Sequence, residues 1–225
     1  IYEYDYDVYQ YEFQQFDPIR GYVANFVSNA DGITNTGFEI ELYYAATDRL
    51  TLSGNFSYTE TEYGEDYFVF TVDDPINPVP VFGTFTQGFV SAQVTDPSQA
   101  SDYTVNLKGG PLKGIPEEKA TIRVSYEQDT RFGPLYYLLS HSYTGDFSAS
   151  GIQRPLDRID SRETTNLNIS WYSQDGNLSL RAYVDNLFDN DNYYALSTGD
   201  HETNYRKSVT ALPPRVMGLD IRYRF

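Results

Sequence analysis

Two short clusters contain the residue types that hydrolysis requires. Ser140, His141 and Ser142 are consecutive, and Asp200 precedes His201. A serine hydrolase needs a hydroxyl within hydrogen-bonding distance of an activating imidazole. Neighbouring side chains of a β-strand point to opposite faces, so neither serine easily reaches His141 within one strand. The sequence therefore gives little support for a hydrolase, and we assign no catalytic residue.

A second cluster is rich in the oxygen atoms that calcium prefers. The segment 189–192 reads Asp-Asn-Asp-Asn. It lacks the central glycine and the distal glutamate of a twelve-residue EF-hand loop, and the end of a strand explains the same residues as a turn. No zinc-ligand spacing, phosphate-binding glycine loop or nucleotide fingerprint is present. We predict no metal site and no cofactor.

A third candidate is the long segment between 61 and 119. Every charged residue from Glu60 to Asp102 is acidic, and phenylalanines are interspersed. The functional interpretation is a loop that closes over a substrate, with aromatic rings stacking on it and carboxylates binding cations or hydroxyls. The alternative is a solvated acidic loop whose aromatics pack locally. The candidate substrate-binding residues are Phe68, Phe70, Asp73, Asp74, Phe82 and Phe85.

Alternation of apolar and polar residues is the dominant pattern of the chain, and it predicts β-strands. In the most regular example, Met217, Leu219 and Ile221 alternate with Gly218 and Asp220. The opening run places Tyr2, Tyr4, Tyr6 and Val8 on one face and Glu3, Asp5 and Asp7 on the other. The runs are 2–8, 38–44, 50–58, 121–126, 135–143, 166–171, 178–185 and 217–225.

The links between these runs are of two lengths. Short turns at 45–49, 128–134 and 173–177 are rich in turn-forming residues. Long links fall at 17–36, 61–119, 145–164 and 190–214. Short turns on one rim and long loops on the other are typical of outer-membrane β-barrels, and this pattern favours such a barrel over a soluble sandwich.

Composition indicates the same class. The chain has 22 Tyr, 14 Phe, no Cys and a net charge of −16. Such acidity excludes nucleic-acid binding through phosphate contacts, and no apolar stretch of about 18 residues exists for a transmembrane helix. Tyrosine and phenylalanine near strand ends suit interfacial girdles, whereas charges on the opposite face require a wet interior. We predict an all-β, antiparallel transmembrane barrel.

Specific motifs resemble those of TonB-dependent receptors. The stretch 36–63, TGFEIELYYAATDRLTLSGNFSYTETEY, is similar to a strand–turn–strand hairpin of that family. The segment 183–189, YVDNLFD, followed by Tyr193 and Tyr194, resembles its next-to-last strand, and 213–225, PPRVMGLDIRYRF, its last one. The segment 113–126 is more loosely similar to the start of a late strand. Together these matches cover about half of the chain in the order of the family.

The resemblance implies the last eight strands of a 22-stranded barrel in the bacterial outer membrane, spanning residues 1–225. It implies active uptake of a scarce nutrient such as a siderophore, cofactor, sugar or peptide. The implied partners are a plug domain, the remaining barrel strands, the TonB complex, outer-membrane lipid and the barrel assembly machinery. The sequence opens within a strand pattern at Ile1. The plug domain and the TonB-coupling segment that the resemblance implies are therefore expected upstream or in a companion chain.

Some residues receive roles from this resemblance. Tyr223 and Phe225 look like the signal that the assembly machinery reads. The charged residues expected to face the plug are Glu39, Glu41, Arg123, Arg181, Asp220 and Arg222. An alternative is a small stand-alone barrel, in which eight strands close on themselves and serve a binding or structural role. Acidic loops argue mildly against a highly anionic ligand.

Overall fold

Eight long strands form the main sheet of the molecule. The computed structural model describes residues 1–17, 22–70, 93–94, 104–151, 155–198 and 206–225. The strands of this sheet are β1 (Tyr2–Asp17), β2 (Tyr22–Ala45), β3 (Leu50–Tyr63), β7 (Glu118–Thr130), β8 (Gly133–Thr144), β11 (Arg162–Tyr172), β12 (Leu178–Asp185) and β15 (Val216–Tyr223). Within the described residues, no helix is long and apolar enough to cross a membrane.

The sheet order is β1-β2-β3-β7-β8-β11-β12-β15, and every neighbouring pair is antiparallel. Each strand therefore pairs with the next long strand along the chain. The eight runs predicted from alternation lie in this sheet, apart from Arg224 and Phe225, which follow the end of β15. The all-β, antiparallel prediction is therefore confirmed. The stand-alone alternative requires β1 to pair with β15, whereas these two strands form the opposite edges of the sheet.

Smaller elements lie in the long links. They are β4 (Phe68–Phe70), β5 (Gln93–Val94), β6 (Thr104–Asn106), β9 (Phe147–Ser148), β10 (Arg158–Ile159), β13 (Tyr193–Thr198) and β14 (Lys207–Ala211), with one turn of 3₁₀ helix at Pro155–Asp157. They pair among themselves, as β5-β4-β6, β10-β9 and β13-β14. The long links therefore carry their own small sheets at the end of the molecule opposite the short turns.

The register gives the main sheet one continuous apolar face, because directly paired residues point to the same side. One row of pairs crosses seven strands: Tyr44, Leu52, Val124, Leu139, Leu167, Val184 and Met217. Large side chains such as Leu42, Leu219 and Ile221 are more than half exposed on this face. Exposed apolar area of this extent is what a lipid-facing surface requires.

Aromatic side chains mark both margins of the apolar face. Trp171 lies in the row nearest the short turns, and Phe38 pairs with Tyr58 at the far margin. Leu50 to Tyr58 spans about 27 Å along the strand, or about 21 Å after a tilt of about 40°. This height is close to the apolar band of about 25 Å that outer-membrane barrels present to lipid.

The first strand differs from the prediction. Tyr2 pairs with Gly37 and Asp5 with Thr34, so the tyrosines of β1 lie on the polar face and Asp5 on the face of Phe38. Asp5 was expected to point to a wet interior. Strand β1 begins, at Tyr2, beside the Phe38–Tyr58 row and runs away from the short turns. The acidic residues of β1 therefore lie beyond the apolar band. Water there removes the cost of placing carboxylates on the lipid side.

The predicted link 17–36 is also shorter than expected. β1 continues to Asp17 and β2 begins at Tyr22, and the two strands pair up to Asp17 and Tyr22. Beyond the apolar band both faces of a hairpin meet water, so its sequence no longer needs to alternate. Because alternation is absent there, the sequence predicted a link where the two strands in fact continue.

The short turns are held by local hydrogen bonds, as their composition predicts. In the turn after β11, the Ser173 hydroxyl and the Asn177 backbone amide donate to Asp175. These bonds, with the Ser173 hydroxyl first, hold the pKa of the Asp175 carboxyl below its usual range. Across the neighbouring turns, Arg49 forms an ion pair with Asp129.

Asn186 organises the opposite end of β12. It is buried and adopts a positive φ of 51°, which asparagine tolerates better than most residues. Its side-chain amide donates to the carbonyls of Asn190, at 2.8 Å, and Pro213, at 2.9 Å, and its side-chain oxygen accepts from the Asn190 amide. Its own backbone amide donates to Asn166. Asn186 thus connects β11, the end of β12 and the approach to β15.

Replacement of Asn186 by alanine should lower the unfolding free energy of the protein. Three side-chain hydrogen bonds disappear, at about 1 kcal/mol each, so we expect a loss of about 2–3 kcal/mol. Urea unfolding of the purified protein measures it. Asn55→Ala serves as the control, because Asn55 is exposed on β3. An equal effect of both substitutions would contradict the role given to Asn186.

Trp171 provides a test of the lipid-facing surface. The fluorescence of Trp171 is the difference between the signals of the unaltered protein and the Trp171→Phe variant. In vesicles, brominated lipid should quench this fluorescence, because the row that contains Trp171 faces hydrocarbon near the membrane surface. Bromines near the headgroup should quench more strongly than bromines at the chain ends. Tyr172→Trp, made in the Trp171→Phe protein, is the control on the other face. Quenching of that residue by lipid, with Trp171 unaffected, would reverse the assignment of the faces.

Candidate functional site

The second face of the main sheet is polar, and it is the surface on which the candidate charged residues lie. Glu39 pairs with Ser57 and Glu41 with Asn55, between β2 and β3. Arg123 of β7 pairs with Ser53 on one side and Ser140 on the other. The register therefore places these three predicted residues on the same side of the sheet, opposite the apolar face.

The remaining predicted charges lie near the other edge of the same face. Arg181 pairs with Asp220 between β12 and β15, and their side chains form an ion pair at 3.8 Å. Two nitrogens of the Arg181 guanidinium donate to the Asn168 side-chain oxygen, at 2.9 and 2.8 Å. Arg222 pairs with Ser179 on this face. The Arg181 side chain is thus held by a neutral partner, Asn168, and a charged partner, Asp220, on the two neighbouring strands.

Three rows of paired residues cross the middle of the polar face, on β3, β7, β8 and β11. From the long-link end towards the short turns, the rows are Ser57–Lys119–Thr144–Arg162, Asn55–Thr121–Ser142–Thr164 and Ser53–Arg123–Ser140–Asn166. Hydroxyls and amides occupy most of these positions. We call Lys119, Arg123 and Arg162, with the hydroxyl and amide residues between them, the cationic patch.

Neither Lys119 nor Arg162 was predicted from the sequence as a site residue. Each lies at the start of a strand beside a glutamate, where composition alone gives no sign of its neighbours. Only the register across β7, β8 and β11 brings both residues to Thr144. Periodicity within β7 does predict that Lys119 and Arg123 lie on one face of that strand. It does not predict which residues of the neighbouring strands lie beside them.

An apolar depression interrupts the polar face near the short turns. It has a volume of about 750 Å³, and its lining residues are Pro134, Tyr136, Leu138, Asn168, Ser170, Tyr172 and Arg181. The rings of Tyr136 and Tyr172 meet edge-on, with centroids 5.8 Å apart. Leu138, an apolar residue on the otherwise polar side of β8, is one wall of this depression.

A small core anchors the acidic segment at the far end of β3. Tyr63 and Tyr67 stack with ring centroids 5.8 Å apart, and both are buried with Leu107 and Leu112. A hydrogen bond also joins the two ends of the segment, because the backbone amide of Leu112 donates to the side-chain hydroxyl of Thr61. The core contains Ala30, Ile33, Tyr63, Tyr67, Leu107 and Leu112. It fixes both ends of the segment against β2 and β3.

Of the candidate substrate-binding residues, Phe68 and Phe70 belong to β4, whose partners are β5 and β6. Asp73, Asp74, Phe82 and Phe85 lie outside the described residues. The substrate-binding role of this group therefore stays a prediction.

The structure gives the segment 189–192 internal partners. The Asp189 carboxylate accepts from the Arg215 backbone amide at 2.9 Å, and the Asn190 side-chain oxygen accepts from Asn192. The Asn192 side chain donates to the Ser161 carbonyl. No group of three acidic or histidine ligands placed to hold a metal occurs among the described residues. These contacts support the turn interpretation of the segment.

His141 lies on the apolar face, where it pairs with Ile122 and Thr165. Its Nδ1 is 2.9 Å from the Thr165 hydroxyl, and its Nε2 is 3.8 Å from Glu163. Ser140 and Ser142 pair with residues of the polar face. The two serines and the imidazole are thus on opposite sides of the sheet, as the strand geometry predicts.

The fold is similar to solved receptors. The ferric yersiniabactin uptake receptor FyuA from Yersinia pestis gives a TM-score of 0.62 at 18% identity, covering 89% of this chain and 25% of that one. The siderophore receptor PiuA from Acinetobacter baumannii gives 0.61 at 14%, with 98% and 25% covered. The copper transporter OprC gives 0.56 at 14%, with 96% and 27% covered. This chain thus spans about a quarter of their length.

No curated protein sequence matches the chain closely enough to count as a relative. The family model described as TonB dependent receptor-like, beta-barrel, matches residues 2–187. That match includes seven of the eight long strands in whole or in large part, together with the cationic patch and the apolar depression. The chain therefore belongs to the β-barrel family of TonB-dependent receptors.

Proposed function

We propose that this chain forms part of the wall of an outer-membrane receptor that imports a scarce nutrient with energy delivered through TonB. One observation carries the proposal: seven paired strands share an unbroken apolar row on one face, backed by rows of charged, hydroxyl and amide residues on the other. A wall between lipid and a wet interior needs this arrangement. Family membership supports the transport role.

In this proposal the polar face borders the interior of the barrel and meets a plug domain. The plug-facing charges are Glu39, Glu41, Arg123, Arg181, Asp220 and Arg222. The apolar depression beside Arg181 adds a surface for a side chain of the plug, because about 750 Å³ of partly apolar space would otherwise hold water. The described ends of the acidic segment, at Tyr67 and Leu107, lie on the side from which a substrate enters.

The two free edges of the sheet support a larger barrel than eight strands. β1 and β15 are paired on one side only among the described residues. In a membrane, unpaired backbone groups at an edge cost several kcal/mol each, so both edges require partner strands. Tyr223, on the apolar side at the end of β15, and Phe225, two residues further along the chain, are the aromatic pair that we propose as the assembly signal, and their rings meet edge-on at 5.0 Å.

Uptake by cells producing the full-length receptor tests the function. Solved neighbours are described as a ferric yersiniabactin receptor, a siderophore receptor and a copper transporter, so radioactive iron and copper complexes from spent culture medium are suitable probes. We expect accumulation that requires the receptor, TonB and the proton-motive force.

The control strains lack either the receptor or TonB. Accumulation that persists without TonB and without the proton-motive force would instead indicate a passive pore. Absence of the receptor from purified outer membranes would overturn the proposed location.

Phe225→Ala should reduce the amount of folded receptor in the outer membrane, because the exposed aromatic side chain that packs against Tyr223 is lost. The amount of heat-modifiable protein in isolated membranes, which separates folded barrel from unfolded chain on gels, measures the effect. Arg224→Ala is the matched control on the neighbouring position of the other face. Equal assembly of the Phe225→Ala and unaltered proteins would contradict the role of Phe225 as a signal.

A further inference from the structure

We infer that three of the long links open locally as one cooperative unit, which we call the collar. The collar contains the described residues of 104–117, 145–161 and 190–214. These links are far apart in the sequence, yet hydrogen bonds join each of them to the next. Such behaviour goes beyond the proposed function, because it states how a change in one link reaches the other two.

The first tie joins the second end of the acidic segment to the next link. The Gly114 amide donates to the Ser148 carbonyl at 2.8 Å. Gly114 has a φ of +77°, a conformation that glycine adopts readily and other residues rarely adopt. Two residues earlier, Leu112 is buried in the core that also contains Tyr63 and Tyr67. The first tie therefore connects the link 145–161 to the core that fixes the acidic segment.

The middle link is held together by its own contacts. Its two short strands, β9 and β10, pair with each other. The Ala149 amide donates to the Asp157 carbonyl at 2.8 Å, and Arg158 forms an ion pair with Asp146, also at 2.8 Å. The two halves of this link are therefore joined, and a change at Ser148 in the first half is transmitted to the second half.

The second tie joins the middle link to the last one. The Asn192 side-chain amide donates to the Ser161 carbonyl at 2.8 Å. The Asn192 carbonyl accepts from the Leu212 amide at 2.8 Å, so the same residue also closes the base of the β13–β14 hairpin. Asn192 belongs to the oxygen-rich segment 189–192, and its contacts give that segment a mechanical role between two links.

Packing between the last two links supports the second tie. Strand β13 contacts β10 and the 3₁₀ turn at Pro155–Asp157. Ile159, one of the two residues of β10, is only 2% exposed. Separation of the two links would bring this apolar side chain into water, which opposes their independent opening.

The three links are joined in series, and this arrangement determines how they open. Local opening in a folded protein involves contiguous groups of hydrogen bonds that break together. Loss of either tie therefore removes protection from the links on both sides of it. Because coupling between two parts of a molecule is reciprocal, a change at Gly114 reaches Asn192 as strongly as the reverse.

The collar also contains the strand partners of two candidate substrate-binding residues. Phe68 and Phe70 of β4 pair with Asn106 and Thr104 of β6. A ligand that stabilises this small sheet would, through the two ties, also slow the opening of the β13–β14 hairpin. The hairpin therefore responds to a ligand that it does not touch.

Hydrogen–deuterium exchange of the purified full-length receptor, measured by mass spectrometry, tests the collar from its second tie. Asn192→Ala removes that tie, and we expect peptides that contain Gly114 or Ala149 to exchange about fivefold faster. Asn177→Ala is the matched control, because the Asn177 side-chain amide also donates one hydrogen bond, to Asp175, at the opposite end of the molecule. It should leave exchange in the collar unchanged.

Gly114→Ala tests the same coupling from the first tie. Its added Cβ meets open space, but alanine at a φ of +77° is strained, so we expect peptides from β13 and β14 to exchange about fivefold faster. Gly176→Ala is the matched control, because Gly176 has a φ of +73° and equally open surroundings in a short turn. It strains the chain to the same extent there and should leave β13 and β14 unchanged.

Faster exchange confined to the altered link in both variants would overturn the collar, because the links would then open independently. An equal rise in the control variants would also overturn it, as would an equal rise around the Val124–Leu139 pair of the main sheet, since either indicates a loss of global stability. Heat-modifiability establishes that each variant is folded. Exchange is measured without transport, so the collar and TonB-dependent uptake fail separately.

Discussion

The hydrogen-bonded ladder between neighbouring strands is the constraint on which the rest of this structure depends. In hydrocarbon no water is available to a backbone amide or carbonyl, so each strand must satisfy its polar groups through the strand beside it. Pairing in turn fixes the register, and the register decides which residues share a face. A slip of one residue between β7 and β8 would carry Lys119 and Arg123 out of line with Thr144 and Ser140.

Glycines mark places where this ladder brings large side chains close to a neighbouring backbone. The Tyr183 ring lies against Gly218 across β12 and β15, where an added Cβ would come within 2.3 Å of the ring. Tyr2 covers Gly37 in the same way, and its hydroxyl also bonds Thr59 at 2.8 Å. In both cases an aromatic ring of one strand packs against the backbone of the next strand on the polar face.

The sequence alone predicted the eight long strands, and the apolar and polar faces of all of them except β1, because a period of two needs no tertiary information. It failed where water contacts both faces of a hairpin, as in the extension of β1 and β2 to Asp17 and Tyr22. It failed again for Lys119 and Arg162, whose shared neighbour is set by pairing between strands. The roles of Asn186 and Leu138 also depend on residues distant in the chain, and periodicity within one strand contains no information about them.

The small sheet β5-β4-β6 holds together the two ends of the segment between Phe70 and Gln93. Phe68 pairs with Val94 and Val69 with Gln93, so the two ends of that segment are neighbours. Closing a loop whose ends are already joined costs only about 0.6 kcal/mol more for each doubling of its length. Insertions, deletions or a peptide tag between these ends should therefore leave the barrel wall intact. Evolution has the same freedom, and the sequence of this segment can diverge faster than that of the strands at its ends.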